Sequence, residues 1–213
     1  MSAASKSRAA FAAAGLPVPI YKGPAPATVD HTVWDTRIGV LTHRVIGEVA
    51  PHAQNIPDVT GTVMADLVRS TVARVVADRT LGRLDRARIR VTGLTVQYVR
   101  EYLPPLGVDF LGTELAAGGG RVDLAWYHPA VGVWFDELKT WRHARAGLDT
   151  ETWVQVRRYL DAGKTTFGDA FVGVRLLTLG NRRACITITS NGLIEDLHTS
   201  PLAPARLHLR GVA

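Results

Sequence analysis

The sequence predicts an α/β fold, a mixed β-sheet flanked by helices and preceded by a helical N-terminal region, and three observations predict it. Apolar residues recur at three- and four-residue intervals from Asp30 to about Leu103. After Pro104 and Pro105 the pattern changes to short runs of β-formers closed by Gly and Pro, and one helical segment separates the first three of these runs from the rest. Helices, three strands, a helix and further strands make the order of an α/β sandwich around a mixed sheet.

Residues 1–29 read as a disordered arm, with an Ala-rich, basic start followed by the Pro-rich GLPVPIYKGPAPA. Gly15, Pro17 and Pro19 interrupt any apolar core there, so a secretory signal is not expected. Residues 30–213 are expected to form one domain, comprising a helical part (30–105), a sheet-and-helix part (106–198) and a tail (199–213). Helices are expected over 34–50, 60–78 and 94–103, broken by Pro51, Pro57 and the Pro104–Pro105 pair. Runs 108–115, 121–128 and 131–140 read as an antiparallel meander. A helix over 149–162 follows, with Trp153, Val156 and Leu160 on its apolar face and Gly163 as its stop. Strands over 170–179, 184–189 and 193–197 complete the sheet, the last after the Asn191–Gly192 turn.

Of the 213 residues 46% are hydrophobic, but no apolar run approaches the roughly 18 residues of a membrane span. Cys185 is the single cysteine, which excludes an internal disulfide and a four-cysteine cluster and fits a cytoplasmic location. The net charge of +6 rests on 21 arginines against four lysines, a balance compatible with a nucleic-acid partner. AGKTT (162–166) lacks the glycine a phosphate-binding loop needs at 158, where Arg158 stands, so Lys164 is read as a surface or DNA-facing residue.

The chemistry concentrates in GGGRVDLAWYHPAVGVWFDELKT (118–140). Asp123, Glu137 and Lys139 interrupt runs that otherwise look buried, where charge is costly unless paired or bound to metal. Side chains alternate along a strand, so Glu137 and Lys139 share one face while Asp136 and Leu138 point to the other. A turn near Pro129 brings Asp123 alongside. Two crowded carboxylates repel unless a cation lies between them, and hard oxygen ligands suit Mg²⁺ or Mn²⁺. A lysine beside that cation can stabilise charge on a phosphate or orient an attacking water, which points to metal-assisted hydrolysis of a phosphodiester.

These residues resemble the PD-(D/E)XK nucleases, with Asp123 at the first acidic position and Glu137-Leu138-Lys139 as E-x-K. QVRRY (155–159) and GVLTH (39–43) are similar to the Q-x-x-x-Y and G-x-x-x-H of the RecB-like branch, and the likeness spans about 39–159. It implies a restriction-endonuclease-like fold and a Mg²⁺- or Mn²⁺-dependent deoxyribonuclease. His43, Asp123, Glu137 and the Leu138 carbonyl would ligate metal, and Lys139 would act on the water. Gln155 and Tyr159 would border the site, ordering the lysine or touching DNA, with Tyr159 free to stack on an unpaired base. Arg142, Arg145, Arg157 and Arg158 are the expected phosphate contacts. Linear or single-stranded DNA is the expected substrate, and a helicase or recombinase the expected protein partner. Glu114 is a candidate further acid. Asp136 is read as a residue of the second face, which a bulge would be needed to bring into the site. Against the resemblance, the cysteine cluster of some relatives and any helicase motif are missing, and Gly47 stands where an acid is often found. A non-catalytic nucleic-acid-binding or assembly module on this fold, and a nuclease directed at RNA, stay open as alternatives.

Overall fold

The computed structural model describes residues 10–17, 34–77, 83–140, 150–180, 184–192 and 194–196. Three helices come first: α1 (Trp34–Ala53), α2 (Thr62–Val75) and α3 (Leu84–Glu101). Strands β1 (Asp109–Ala117), β2 (Gly120–His128) and β3 (Gly132–Lys139) follow, then α4 (Thr150–Phe167), β4 (Phe171–Thr178), β5 (Ala184–Thr189) and β6 (Ile194–Asp196). The six strands form one sheet in sequence order. All neighbours are antiparallel except β3 and β4, whose parallel pairing requires the crossover that α4 supplies. The expected mixed sheet with flanking helices is therefore present.

Two apolar cores lie on opposite faces of the sheet. On one face Leu124, Trp126, Trp134, Leu138 and Leu177 pack with Val45, Ile46 and Val49 of α1, Val68 and Val72 of α2, and Val91 and Tyr98 of α3. On the other, Ala125, Val133, Phe135 and Val174 pack with Val156, Tyr159 and Leu160 of α4. Phe11 joins this second core, fully buried and stacked on Phe167 at 5.9 Å. Residues 10–17 thus depart from the disordered arm expected of 1–29, because a large aromatic side chain has an apolar socket to fill.

The element boundaries carry four further corrections. Pro51 lies inside the last turn of α1 rather than ending it, where a proline removes one hydrogen bond without stopping the helix. Helix α2 is shorter at both ends than the expected 60–78. Helix α3 begins ten residues before the expected start, since its first half buries little beyond Ala87 and Val91 and leaves Ile89 exposed. Gly163 does not stop α4. A Cβ there would meet the Phe171 ring at 2.3 Å, so the glycine admits that ring against the helix, which runs on to Phe167. Lys164 therefore lies inside a helix, where no phosphate-binding loop can form. Among the described residues no helix is long and apolar enough to cross a membrane.

Candidate active site

Strands β2 and β3 part company where the acids stand. Their pairing runs from His128–Gly132 to Leu124–Asp136 and ends there, while β2 continues beside β1 to Gly120 and β3 continues beside β4 to Lys139. Into this fork Asp123 sends its carboxylate, and Oδ2 accepts the Leu138 N–H at 2.7 Å. The side chain replaces the ladder bond that the diverging strand no longer supplies.

Asp123 also marks a change of face. Val122 belongs to the core on the α4 side and Leu124 to the core under α1–α3, although residues two apart in a regular strand share a face. β1 turns over at the same level, since Thr113 abuts α1 at Gly47 while Leu115 packs on the α4 side. Between the paired rungs Thr113–Leu124 and Leu115–Val122 lies Glu114, the one non-glycine residue of positive φ among those described, at 51°. A left-handed glutamate is a strained residue, and here it lies beside Asp123.

Helix α1 reaches the fork through two glycines. A Cβ at Gly39 would meet Thr140 Oγ1 at 2.8 Å and one at Gly47 would meet Thr113 Cγ2 at 2.7 Å. His43 is four residues from each, on the same stripe of the helix, and its Nδ1 is 2.9 Å from Asp123 Oδ1. The absence of an acid at 47 follows from this contact, because any side chain there would have to displace Thr113. Burial opposes a charge on His43, but the Asp123 carboxylate, through charge and hydrogen bond, outweighs it and raises the imidazole above its usual range.

Glu137 is 3% exposed. Its Oε1 accepts from Lys139 Nζ at 2.7 Å, whereas Oε2 is buried and has no hydrogen-bond partner. Burial, and next the charge of Asp123, push its carboxyl up to about 8 against the opposing pull of Lys139. Lys139 Nζ also donates to Gln155 Oε1 at 2.8 Å; Gln155 Nε2 donates to the Tyr159 hydroxyl at 2.8 Å, which donates to the Arg121 carbonyl at 2.6 Å. The four-residue spacing of Gln155 and Tyr159 on α4 makes this line of hydrogen bonds continuous.

Six sequence-predicted residues thus meet at one fork: His43, Asp123, Glu137, Lys139, Gln155 and Tyr159. Leu138 contributes its N–H to Asp123 and its side chain to the core under α1–α3. Tyr159 is 1% exposed, so its ring cannot stack on an unpaired base; it positions Gln155 instead. Arg157 and Arg158 are exposed on α4. Arg142 and Arg145 lie outside the described residues. Asp136 is turned to the other face, where Arg175 holds both its oxygens at 2.6 Å and Trp126 Nε1 and Tyr98 OH donate at 3.0 and 3.2 Å. Arg121 escaped the sequence reading among 21 arginines; its guanidinium lies 4.0 Å from Glu114 at the rim of the fork.

The unpartnered Glu137 Oε2 is a buried acceptor of the hard oxygen type that a divalent cation would satisfy. Among the described residues no three His, Cys, Asp or Glu side chains converge closely enough to hold a metal by themselves. Mg²⁺ commonly takes only one or two carboxylates and keeps several waters. Comparison with known proteins finds no family model, no curated protein and no solved structure that matches this chain.

Proposed function

We propose that the chain is a Mg²⁺- or Mn²⁺-dependent nuclease that hydrolyses phosphodiester bonds in DNA, acting from ends or on single strands. The observation that carries this reading is the state of Glu137, a carboxylate 3% exposed, next to a second acid, with one oxygen on a lysine and the other on nothing. A buried acid left this way is destabilising unless a cation completes it.

Asp123, Glu137, the Leu138 carbonyl and His43 would hold the metal. Bound there, it would supply positive charge against the scissile phosphate and lower the pKa of a water. The remaining work falls to this chain's own groups. Lys139 Nζ, fixed between Glu137 and Gln155, has a third proton to direct at the attacking water or at a phosphate oxygen. Gln155 and Tyr159 hold that ammonium in place, which is worth most when charge develops in the transition state. The exposed Arg157 and Arg158 would take flanking phosphates.

Labelled linear DNA, closed circular DNA and RNA, each incubated with the protein in Mg²⁺, Mn²⁺ or excess chelator, test the reading. Degradation of linear DNA that stops in chelator is expected. Cleavage that persists in chelator, or none with any substrate in either metal, would overturn it.

A further inference from the structure

We propose that Arg121 is a substrate contact, binding a phosphate of the cut strand beside the scissile one, and that Glu114 competes with that phosphate for the Arg121 guanidinium. The inference deepens the reading of the fork as a nuclease site and rests on it.

Two observations single out Arg121 among the arginines. Its carbonyl accepts from the Tyr159 hydroxyl at 2.6 Å, the last hydrogen bond of the line that starts at Lys139. The pairing of β2 with β3 has already ended at Leu124, so this bond to α4 is what ties residue 121 to the lysine. Its side chain, by contrast, is 57% exposed, and its ion-pair partner among the described residues is Glu114 at 4.0 Å, too far for a hydrogen bond. A fixed main chain thus carries a loosely held cation.

The strand sets its direction. Val122 belongs to the core under α4, so its neighbour Arg121 stands on the opposite face of β2, the face from which α1 brings His43 to Asp123. Glu114 feels the charges of Asp123, His43 and Arg121 together, which puts the guanidinium in the same field as the acids of the fork.

Charge supplies the reason for a contact there. Lys139 is engaged by Glu137 and Gln155, while Glu114, Asp123 and Glu137 repel an incoming polyanion. A metal at the scissile phosphate answers for that phosphate alone. The adjoining phosphate meets Arg121, whose planar donors fit two phosphate oxygens at once. A half-exposed carboxylate 4.0 Å away is a weak rival for that geometry, yet it must be displaced, so it lowers the affinity for the strand.

The test is binding of a fluorescent oligothymidylate strand to the full chain in excess chelator, followed by anisotropy across a salt series. Both side chains are exposed, so their substitution spares the core. Wild type is expected to bind with an affinity that falls as salt rises. Arg121→Ala should bind several-fold more weakly and reduce the slope of log affinity against log salt by about 0.7, the share of one single-strand phosphate contact. Arg121→Lys should keep the slope, since the charge remains, and lose part of the affinity, since the paired donors do not. Glu114→Gln should bind several-fold more tightly, and adding Arg121→Ala should erase that gain. An unchanged slope in Arg121→Ala, a gain from Glu114→Gln that survives the loss of Arg121, or no binding of the strand by wild type would overturn the proposal. The two readings fail separately: cleavage by a chain whose salt slope ignores Arg121 sinks this inference alone, whereas Arg121-dependent binding without cleavage in Mg²⁺ or Mn²⁺ sinks the nuclease assignment and leaves the phosphate contact standing.

Discussion

Asp136 and Glu137 are consecutive residues of β3, and each buries a carboxylate, one on either face of the sheet. Asp136 is fully enclosed and accepts from Arg175, Trp126 and Tyr98, and Arg175 in turn donates to the Tyr102 carbonyl at 3.1 Å. Burial opposes the Arg175 charge, yet Asp136 raises its pKa further. That acid is closed: every strong donor it needs comes from the chain, and it ties β2, β3, β4 and the end of α3 together. Glu137 is nearly as buried but has one donor, one bare oxygen and a second acid for company. A buried charge completed by the protein serves the fold, and one left incomplete is available to a ligand.

The largest expected effect separates the two acids by stability. Arg175→Met leaves Asp136 charged and unmatched in an apolar core, and should cost about 3–5 kcal/mol in urea unfolding. The double variant Asp136→Leu with Arg175→Met should recover most of that loss. Glu137→Gln is expected to be no less stable than wild type in chelator, since it removes a repelled charge, and to reduce cleavage to background. Comparable destabilisation by Arg175→Met and Glu137→Gln would erase the distinction between the closed and the open acid.

The next effect is a pH dependence belonging to the open acid alone. The folded-state value of Glu137, about 8, lies above the unfolded value of 4.5, so the folded state holds the proton more tightly. Stability from this group is fully present below about pH 4.5 and is lost as pH rises towards 8, at no more than about 1.4 kcal/mol per pH unit. Melting of the metal-free protein should therefore fall across that window. The slope should flatten in Glu137→Gln and in saturating Mn²⁺. An equal slope in wild type and Glu137→Gln would assign it to other groups.

Most of the fork could be read from the chain because its chemistry is local in sequence. Glu137 and Lys139 share a face by strand alternation, Gln155 and Tyr159 by helical spacing, and Asp123 reaches them across one short turn. What escaped depends on contacts distant in sequence. Arg175 is 39 residues from Asp136, and nothing near either announces the pair. Phe11 finds its socket on α4, more than 150 residues away, and Gly163 reads as a stop until Phe171 is known to need its space. The burial of Tyr159 and the left-handed backbone of Glu114 arise from the change of face at the fork, which no periodicity records because it breaks the period.

A graded loss, falling with distance from Lys139, is expected along the line from Lys139 to Arg121. Lys139→Ala should abolish cleavage with Mn²⁺ binding largely kept. Gln155→Ala removes a hydrogen bond to a charged group, about 1.5–3 kcal/mol, and should slow turnover by roughly 10–100-fold. Tyr159→Phe keeps the packed ring and loses only hydroxyl bonds, about 0.5–1.5 kcal/mol, for roughly a 2–10-fold loss. Single-turnover rates would rank them. A slower Tyr159→Phe than Gln155→Ala would mean that the hydroxyl acts on the site by another route.

The smallest effect concerns His43, whose role lies between those of the two acids. Its Nδ1 is hydrogen-bonded to Asp123, which a structural histidine would also do, yet it approaches through a stripe flanked by two glycines and remains partly exposed. Imidazole is a softer ligand than carboxylate and favours Mn²⁺ over Mg²⁺, so His43→Ala should cost a few-fold more activity in Mn²⁺ than in Mg²⁺. The raised pKa adds a second signature. Metal must displace a proton from His43, and Mn²⁺ affinity should therefore climb as pH rises through a range above the ordinary histidine value of 6.5. His43→Ala should shed that component and keep the one due to Glu137. Equal losses in both metals, with the pH dependence of Mn²⁺ affinity unchanged, would make His43 a clamp on Asp123 and leave the cation to the carboxylates.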